Sequence, residues 1–392
     1  MKRISTRKRT LNMILALVLS IGFLLPYGPT AGAKKLPDTT RLVLTVRSSL
    51  NAVSFSQLEL RNAILIHEII RAKKESLGPN QVPNITDMVV ALTQEGHEDK
   101  YFHMDRMGYL WEEQSMQKLV LPPAATFKLI RYANALRATH YGRLIRWEDA
   151  ERIVPRKGIV SVTDLETGLS FRVQRRAGSD HADVQPITKE DTAIMKRIYG
   201  GRWSWKRRPI IVHSGQGRIA ASMNGMPHGG DGIPENGFSG HFCIHFLGST
   251  SHKSDFPDTA HQLMIYKASG NTRAFIEAAS PVVLAESFVE AMYQRDSLLL
   301  RQVWDTIPED KWSYFAGQLE TLESIRIRKP LRKTGKSSVL EDNEYDESLK
   351  SDIRLAIASN KIGKPERNAT YSFSFKRDDR SSPWRIADVA VK

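Results

Sequence analysis

The chain reads as a multidomain protein with a helical N-terminal region, a mostly β central domain and a small α+β C-terminal domain. Three observations predict this. Its 392 residues, at roughly 150 per domain, leave room for two or three domains. Apolar residues recur every three to four positions before residue 155 and alternate singly after Gly158. Beyond residue 275 the composition turns strongly charged, with one amphipathic helical run followed by several alternating ones. At 41% hydrophobic and 26% charged residues, the chain is neither collagen-like, coiled-coil nor globally disordered. Its single cysteine excludes a disulfide framework and any all-cysteine metal cluster.

Residues 1–33 form a segment of their own. Lys2, Arg3, Arg7, Lys8 and Arg9 precede the 15-residue apolar run Leu11–Leu25, and Ala31-Gly-Ala33 follows it. A basic, an apolar and a small-residue region in that order predict a secretory signal peptide cleaved after Ala33. As a helix the apolar run rises only about 22 Å, short of the ~30 Å hydrocarbon core, so an uncleaved anchor is the second choice. No Cys follows the run, which rules out a lipid-modified N-terminus. The expected product is exported, extracytoplasmic and associated with the cell wall or surface, with no stable membrane insertion after cleavage. The chain has 57 Lys and Arg, five of them in the leader, against 43 Asp and Glu. The moderate basic excess that remains suits an anionic wall polymer. Export, with no zinc-finger spacing and no basic region followed by heptads, disfavours nucleic acid.

In residues 34–155, Leu58, Leu65 and Ile69, with Leu60 and Ile64, give overlapping three-to-four spacings over Gln57–Arg71 and predict a helix. Ala124–Ala138 repeats the pattern after Pro122-Pro123 and predicts another. The region reads as a helical accessory domain.

Residues 156–270 change period. Gly158–Thr163 and Leu169–Val173 flank Asp164–Gly168 as strand, turn and strand, with Leu169, Phe171 and Val173 on one face. Thr188 with Asp191 predicts a capped helix that Gly200-Gly201 ends. Pro209–Val212 and Arg218–Met223 predict a hairpin through Gly215–Gly217. A glycine-rich loop, Asn224–Gly240, then leads into His241-Phe-Cys-Ile-His-Phe246. Gly248–His252 and Lys253–His261 extend the polar region, which holds the end of a ligand or leads into a helix capped near Asp258.

Residues 271–392 offer the amphipathic run Pro281–Met292, then alternation over Thr321–Ile327, Asp352–Ile357, Thr370–Phe375 and Trp384–Val391. One helical segment followed by several strands resembles the nuclear-transport-factor-2-like fold, which implies a cone-like α+β accessory domain. The acidic stretch 336–348 reads as an exposed loop.

The residues able to carry chemistry converge on Cys243. His241 and His245 share its side-chain parity on a strand, and the flexible loop can bring His228 over the thiol. A neutral His within about 3 Å can take the thiol proton, leaving a thiolate that is both nucleophile and leaving group of a thioester. Competing readings are a buried inert Cys and a metal site. Asp180-His-Ala-Asp183 supplies His181 and Asp183, which with His245 could hold zinc with one open position, as in a zinc-dependent cell-wall peptidase. Otherwise His181 and Asp183 belong to a solvated turn. Trp203 and Trp205, beside Lys206-Arg207-Arg208, read as a ligand platform or a β edge.

His228-Gly229, the loop, and Gly240-His-Phe-Cys-Ile-His245 resemble the catalytic motif of the L,D-transpeptidases, a His-Gly pair followed by Ser/Thr-His-Gly-Cys. The preceding strands resemble the β-rich lead-in of that domain, so the resemblance covers residues 156–270. It implies an L,D-transpeptidase-like domain whose partners are peptidoglycan stem peptides. Cys243 would be the nucleophile, His228 the base and His241 a supporting histidine, with Gly229, Gly240, Phe242 and His245 near the substrate and no cofactor. The implied reaction is cross-linking or carboxypeptidase trimming through a thioester. Gly240 replaces Ser or Thr, Phe242 replaces Gly and His245 replaces Asn or Arg. The added bulk at Phe242 requires a different loop path or acyl pocket. A peptidoglycan-binding module without catalysis is the remaining alternative.

Overall fold

The computed structural model describes residues 39–76, 86–112, 114–115, 117–230, 232–251, 254–328 and 348–392. The leader and residues 336–347 of the acidic stretch lie outside the described residues.

Arg41–Val46 (β1) alternates strictly, with Leu42, Leu44 and Val46 inward, and opens a sheet where the sequence predicted helices. It joins β2 (Ser56–Leu60), β3 (Lys73–Glu75), β4 (Met88–Thr93), β5 (Lys100–Met104), β6 (Leu110–Glu112) and β7 (Lys118–Val120). Among the described residues these form a seven-stranded antiparallel sheet in the order β2-β1-β4-β5-β6-β7-β3. The helix predicted over Gln57–Arg71 is therefore divided. Its first part is β2, and α1 (Ala63–Arg71) begins where the Asn62 side chain accepts from the Leu65 amide at 3.0 Å. Leu58 and Leu60 fit a two-residue period as well as a helical one, and pairing with β1 decides between them. The second prediction is met by α2 (Pro123–His140), which buries Leu129, Ala133 and Leu136 in the same core as β1 and α1. A short α3 (Trp147–Ile153) leads to the central domain.

The central domain is a closed antiparallel barrel. Its strands are β8 (Ile159–Asp164), β9 (Ser170–Ala177), β10 (Ala182–Pro186), β11 (Arg208–Ser214), β12 (Gly217–Met223) and β13 (Phe242–His245), in the order β10-β13-β12-β11-β8-β9. Val162, Phe171, Val173, Val184, Ile210, Ala221 and Phe242 fill it. Between β10 and β11, α4 (Lys189–Ile198) starts in the expected capping box of Thr188 and Asp191. After the small hairpin β14 (Thr250–Ser251) and β15 (Ser254–Pro257), α5 (Thr259–Ala268) packs outside the barrel on β11 and β12.

The rest is mixed α+β. Helices α6 (Thr272–Glu277), α7 (Pro281–Gln294), α8 (Ser297–Val303) and α9 (Glu309–Thr321) precede the antiparallel meander β16 (Leu322–Ile327), β17 (Lys350–Lys361), β18 (Arg367–Lys376) and β19 (Arg385–Val391). Phe288, Trp304, Phe315, Phe373 and Phe375 form the core between helices and sheet. Among the described residues no helix is long and apolar enough to cross a membrane.

One buried cation ties the parts together. The Lys267 ammonium at the end of α5 lies 2.6 Å from both Glu166, in the β8–β9 turn, and Asp296, the N-cap of α8. The carboxylates outweigh burial and raise its pKa. Lys267→Met leaves Asp296 buried without its cation, and a loss of about 3–5 kcal/mol is expected. Denaturant unfolding measures it, and an unchanged midpoint would show that the pair does not hold the junction.

Candidate active site

Strand alternation builds the site on the outer surface of the barrel. On β13, Phe242 and Ile244 point into the core, which turns Cys243 and His245 outward. On β10, Ala182 and Val184 point inward, so Asp183 faces out, directly opposite Cys243. His181, one residue before β10, has the parity of Asp183. On β12, Ser222 is paired with His245 and faces out between the inward Ala221 and Met223. The Asp258 carboxylate caps α5 by accepting from the His261 amide at 2.8 Å, and this sets the His261 ring over His245.

The glycine-rich loop closes on itself immediately before Cys243. His228 and His241 exchange backbone hydrogen bonds of 2.9 and 2.7 Å, so thirteen residues of sequence separation shrink to one rung of pairing. Two glycines permit this. Gly229 has φ +76° and Gly240 φ +82°; a Cβ would lie 2.2 Å from the His241 ring at the first and 2.3 Å from the His228 carbonyl oxygen at the second. Gly240→Ala is therefore expected to part the loop stem and withdraw His228 from the thiol. At least a tenfold loss of iodoacetamide reactivity at neutral pH should follow, about the effect of one unit in thiol pKa. Wild-type reactivity in a folded Gly240→Ala protein would contradict the crossing.

Cys243 Sγ lies 3.3 Å from His228 Nε2 and 3.8 Å from Asp183 Oδ1. His228 Nδ1 lies 2.8 Å from the Met226 carbonyl, which can only accept, so this nitrogen carries a proton. Its Nε2 lone pair then faces the thiol in the neutral ring. Asp183 Oδ1 is 3.1 Å from His181 Nε2 and 3.5 Å from His241 Nε2. His181 Nδ1 reaches the Thr250 carbonyl at 2.8 Å. Burial alone would push the thiol pKa up, but hydrogen bonds with His181 and His228 bring it below its usual value. The hydrogen bond to Cys243 raises His228 against its burial. Burial opposes charge on His181, yet contacts with Asp183 and Cys243 carry it to about 10. His245 and His261 are pushed well below the ordinary histidine value, first by burial, and are neutral. The cluster thus has the composition and protonation pattern of a cysteine-based active site.

Several expectations meet this geometry directly. Cys243, His228 and His241 are brought together, their nitrogen and sulfur atoms within 4.8 Å of one another. Phe242 does not line this cluster. The side chain is fully buried inside the barrel against Phe171 and Phe238, on the opposite face of β13 from Cys243, which is itself buried beneath the outer layer. His245 is also not a substrate-facing group. It is buried behind Cys243, stacked between His181 and His261 with ring centroids 4.5 and 3.8 Å away. Gly229 and Gly240 serve the loop crossing. The solvated-turn reading of His181 and Asp183 fails, because both are buried.

The zinc set of His181, Asp183 and His245 is not assembled for a shared ion. The two rings are parallel within 8°, and a metal about 2.0–2.1 Å from each ligating nitrogen must lie near both ring planes. Stacked planes do not meet. The same stacking disqualifies His181, Cys243 and His245, although their ligand-type atoms fall within 4.8 Å. His228, His241 and Cys243 are equally close, but there the thiol and Nε2 face each other as a hydrogen-bonded pair.

Trp203 packs edge-on to Phe238 with Lys196 over its ring, inside the fold. Trp205 is half exposed, 5.2 Å from the His228 ring, and stands beside the site. The bases next to it are engaged elsewhere, Arg207 with Asp258 and Arg208 with Asp164 and Glu166. Ser222, whose hydroxyl lies 2.9 Å from His261 Nδ1, went unread in the sequence, and His261 was read only as the end of the polar segment that precedes the capped helix. The outward parity of β12 and the Asp258 cap were the available signals.

Compared with protein-family models and with curated proteins, the chain matches none.

Proposed function

We propose that the barrel is a cysteine acyltransferase of L,D-transpeptidase type, acting on peptidoglycan stem peptides outside the cytoplasm. The observation that carries this reading is the 3.3 Å approach of Cys243 Sγ to His228 Nε2, with the opposite ring nitrogen held on the Met226 carbonyl. The leader-like sequence supports the compartment. The glycine-rich loop and the half-exposed indole of Trp205 beside His228 are the groups that would meet an extended polar substrate.

His228 takes the Cys243 proton. The thiolate attacks the carbonyl carbon of a diamino-acid residue in the stem, and the bond to the terminal D-amino acid breaks. The leaving amine departs with the proton from His228, and a thioester remains on Cys243. An amine from a neighbouring stem then attacks the thioester, yielding a cross-link and restoring the thiolate. Water in place of that amine gives trimming.

The test is product formation from a muropeptide with a diamino-acid stem, followed with and without chelator. Release of the terminal D-amino acid that is insensitive to chelator is expected. Chelator-sensitive release would indicate a metallopeptidase, and binding without turnover a recognition module.

A further inference from the structure

The two histidines that touch Cys243 have different partners on their far sides. His228 meets one obligatory acceptor, the Met226 carbonyl, and offers its other nitrogen to the thiol. His181 meets two. Its Nδ1 faces the Thr250 carbonyl at 2.8 Å, and its Nε2, beside the sulfur, lies within ion-pair distance of the Asp183 carboxylate, 3.1 Å from Oδ1. A carbonyl and a carboxylate both require an N–H, and an imidazole carries two only as the cation. A neutral ring would leave an unprotonated nitrogen close to one of these oxygens in a site where His181 and Asp183 are both almost wholly buried.

We propose that His181 is a fixed imidazolium, held by Asp183 and Thr250, whose charge keeps Cys243 as the thiolate while His228 alone moves the proton. His181 is then a positioning residue that acts through the sulfur. This deepens the proposed acyl transfer and rests on it only for its consequence in turnover.

The surroundings fit a single buried cation. From β13, His181 faces Cys243 and the neutral His245; from β14, the Thr250 carbonyl; from its own strand, Asp183. His241 and His228 from the loop stem lie beyond Asp183 and Cys243, and His261 of α5 lies behind His245. Stacking a neutral His245 face against the imidazolium, at 4.5 Å, places no second positive charge beside it. Asp183 is the carboxylate in direct contact, and its Oδ1 fixes the His181 ring at the sulfur's edge.

The experiment is nitrogen NMR of the histidine side chains of the full mature chain, from about pH 6 to about pH 9. His181 should be protonated on both nitrogens throughout, in wild type and equally in Cys243→Ala, since Asp183 and Thr250 hold the charge. Asp183→Asn should let it titrate within that range. A singly protonated His181 in wild type near neutral pH overturns the proposal. Iodoacetamide alkylation gives a second readout. His181→Gln should shift the thiol titration upward by at least about one unit, cutting the rate near neutrality about tenfold or more and restoring it in alkali. An unmoved profile in folded His181→Gln would remove the role assigned to the charge. Neither readout uses substrate, so lack of turnover leaves this inference standing, and a neutral His181 leaves the Cys243–His228 pair standing.

Discussion

Cys243→Ala should abolish both the covalent intermediate and turnover, the largest effect expected of any single substitution. In the proposed acyl transfer the sulfur is at once the attacking atom, the acyl carrier and the leaving group, a combination no neighbour offers. Ser222 is the hydroxyl nearest by strand pairing, but it is engaged with His261 in a buried position. Little should happen to the fold. Cys243 faces out from the barrel, so truncation removes no contact from the apolar interior. Thermal unfolding close to wild type, with D-amino-acid release at background, is the expected pair of results. Persistent release in Cys243→Ala would move the chemistry to another nucleophile or to activated water.

His228→Ala should slow acylation by about 10²–10⁴, the usual contribution of a positioned base. The sign of the pH dependence follows from the two shifts. The thiol is held below its ordinary value and His228 above its own, two shifts that both favour a proton on nitrogen and a negative charge on sulfur. The two groups titrate as a pair. As pH rises through the lowered thiol value, alkylation of wild type should accelerate, earlier than for a free cysteine at about 8.5. In His228→Ala one of the two histidine hydrogen bonds is gone, and the rise should move to higher pH. A profile that stays in place would assign thiolate formation to His181 alone.

The β character of the central and C-terminal regions was legible where a strand buries one face, since alternation records that directly; closure into a barrel was not. Strands β8, β9, β17 and β18 show it, whereas β11 and β12 are buried on both faces over most of their length and are read from their apolar content and the glycines between them. The N-terminal sheet was hidden for the converse reason. Its β3, β6 and β7 are three residues each, too short to establish a period. Leu58 and Leu60 satisfy strand and helix spacing equally until β1 supplies the partner. At the site, local sequence carried Cys243, His241 and His228 because one loop holds all three. It could not carry Asp183. The pairing of β10 with β13 sets that carboxylate opposite the thiol across sixty residues of chain, a relation fixed by barrel closure. The inward direction of Phe242 likewise depends on which face of β13 meets the core.

The central claim is that the His228-activated sulfur of Cys243 becomes acylated. Rapid acid quench of the full mature chain mixed with a diamino-acid muropeptide, followed by intact-mass measurement and peptide mapping, tests it directly. The expected result is a mass increase equal to the donor stem less its terminal D-amino acid, located on the peptide containing Cys243, removed by hydroxylamine and delayed in His228→Ala. Steady product release with unmodified Cys243 at every quench time, undiminished in Cys243→Ala, would contradict it.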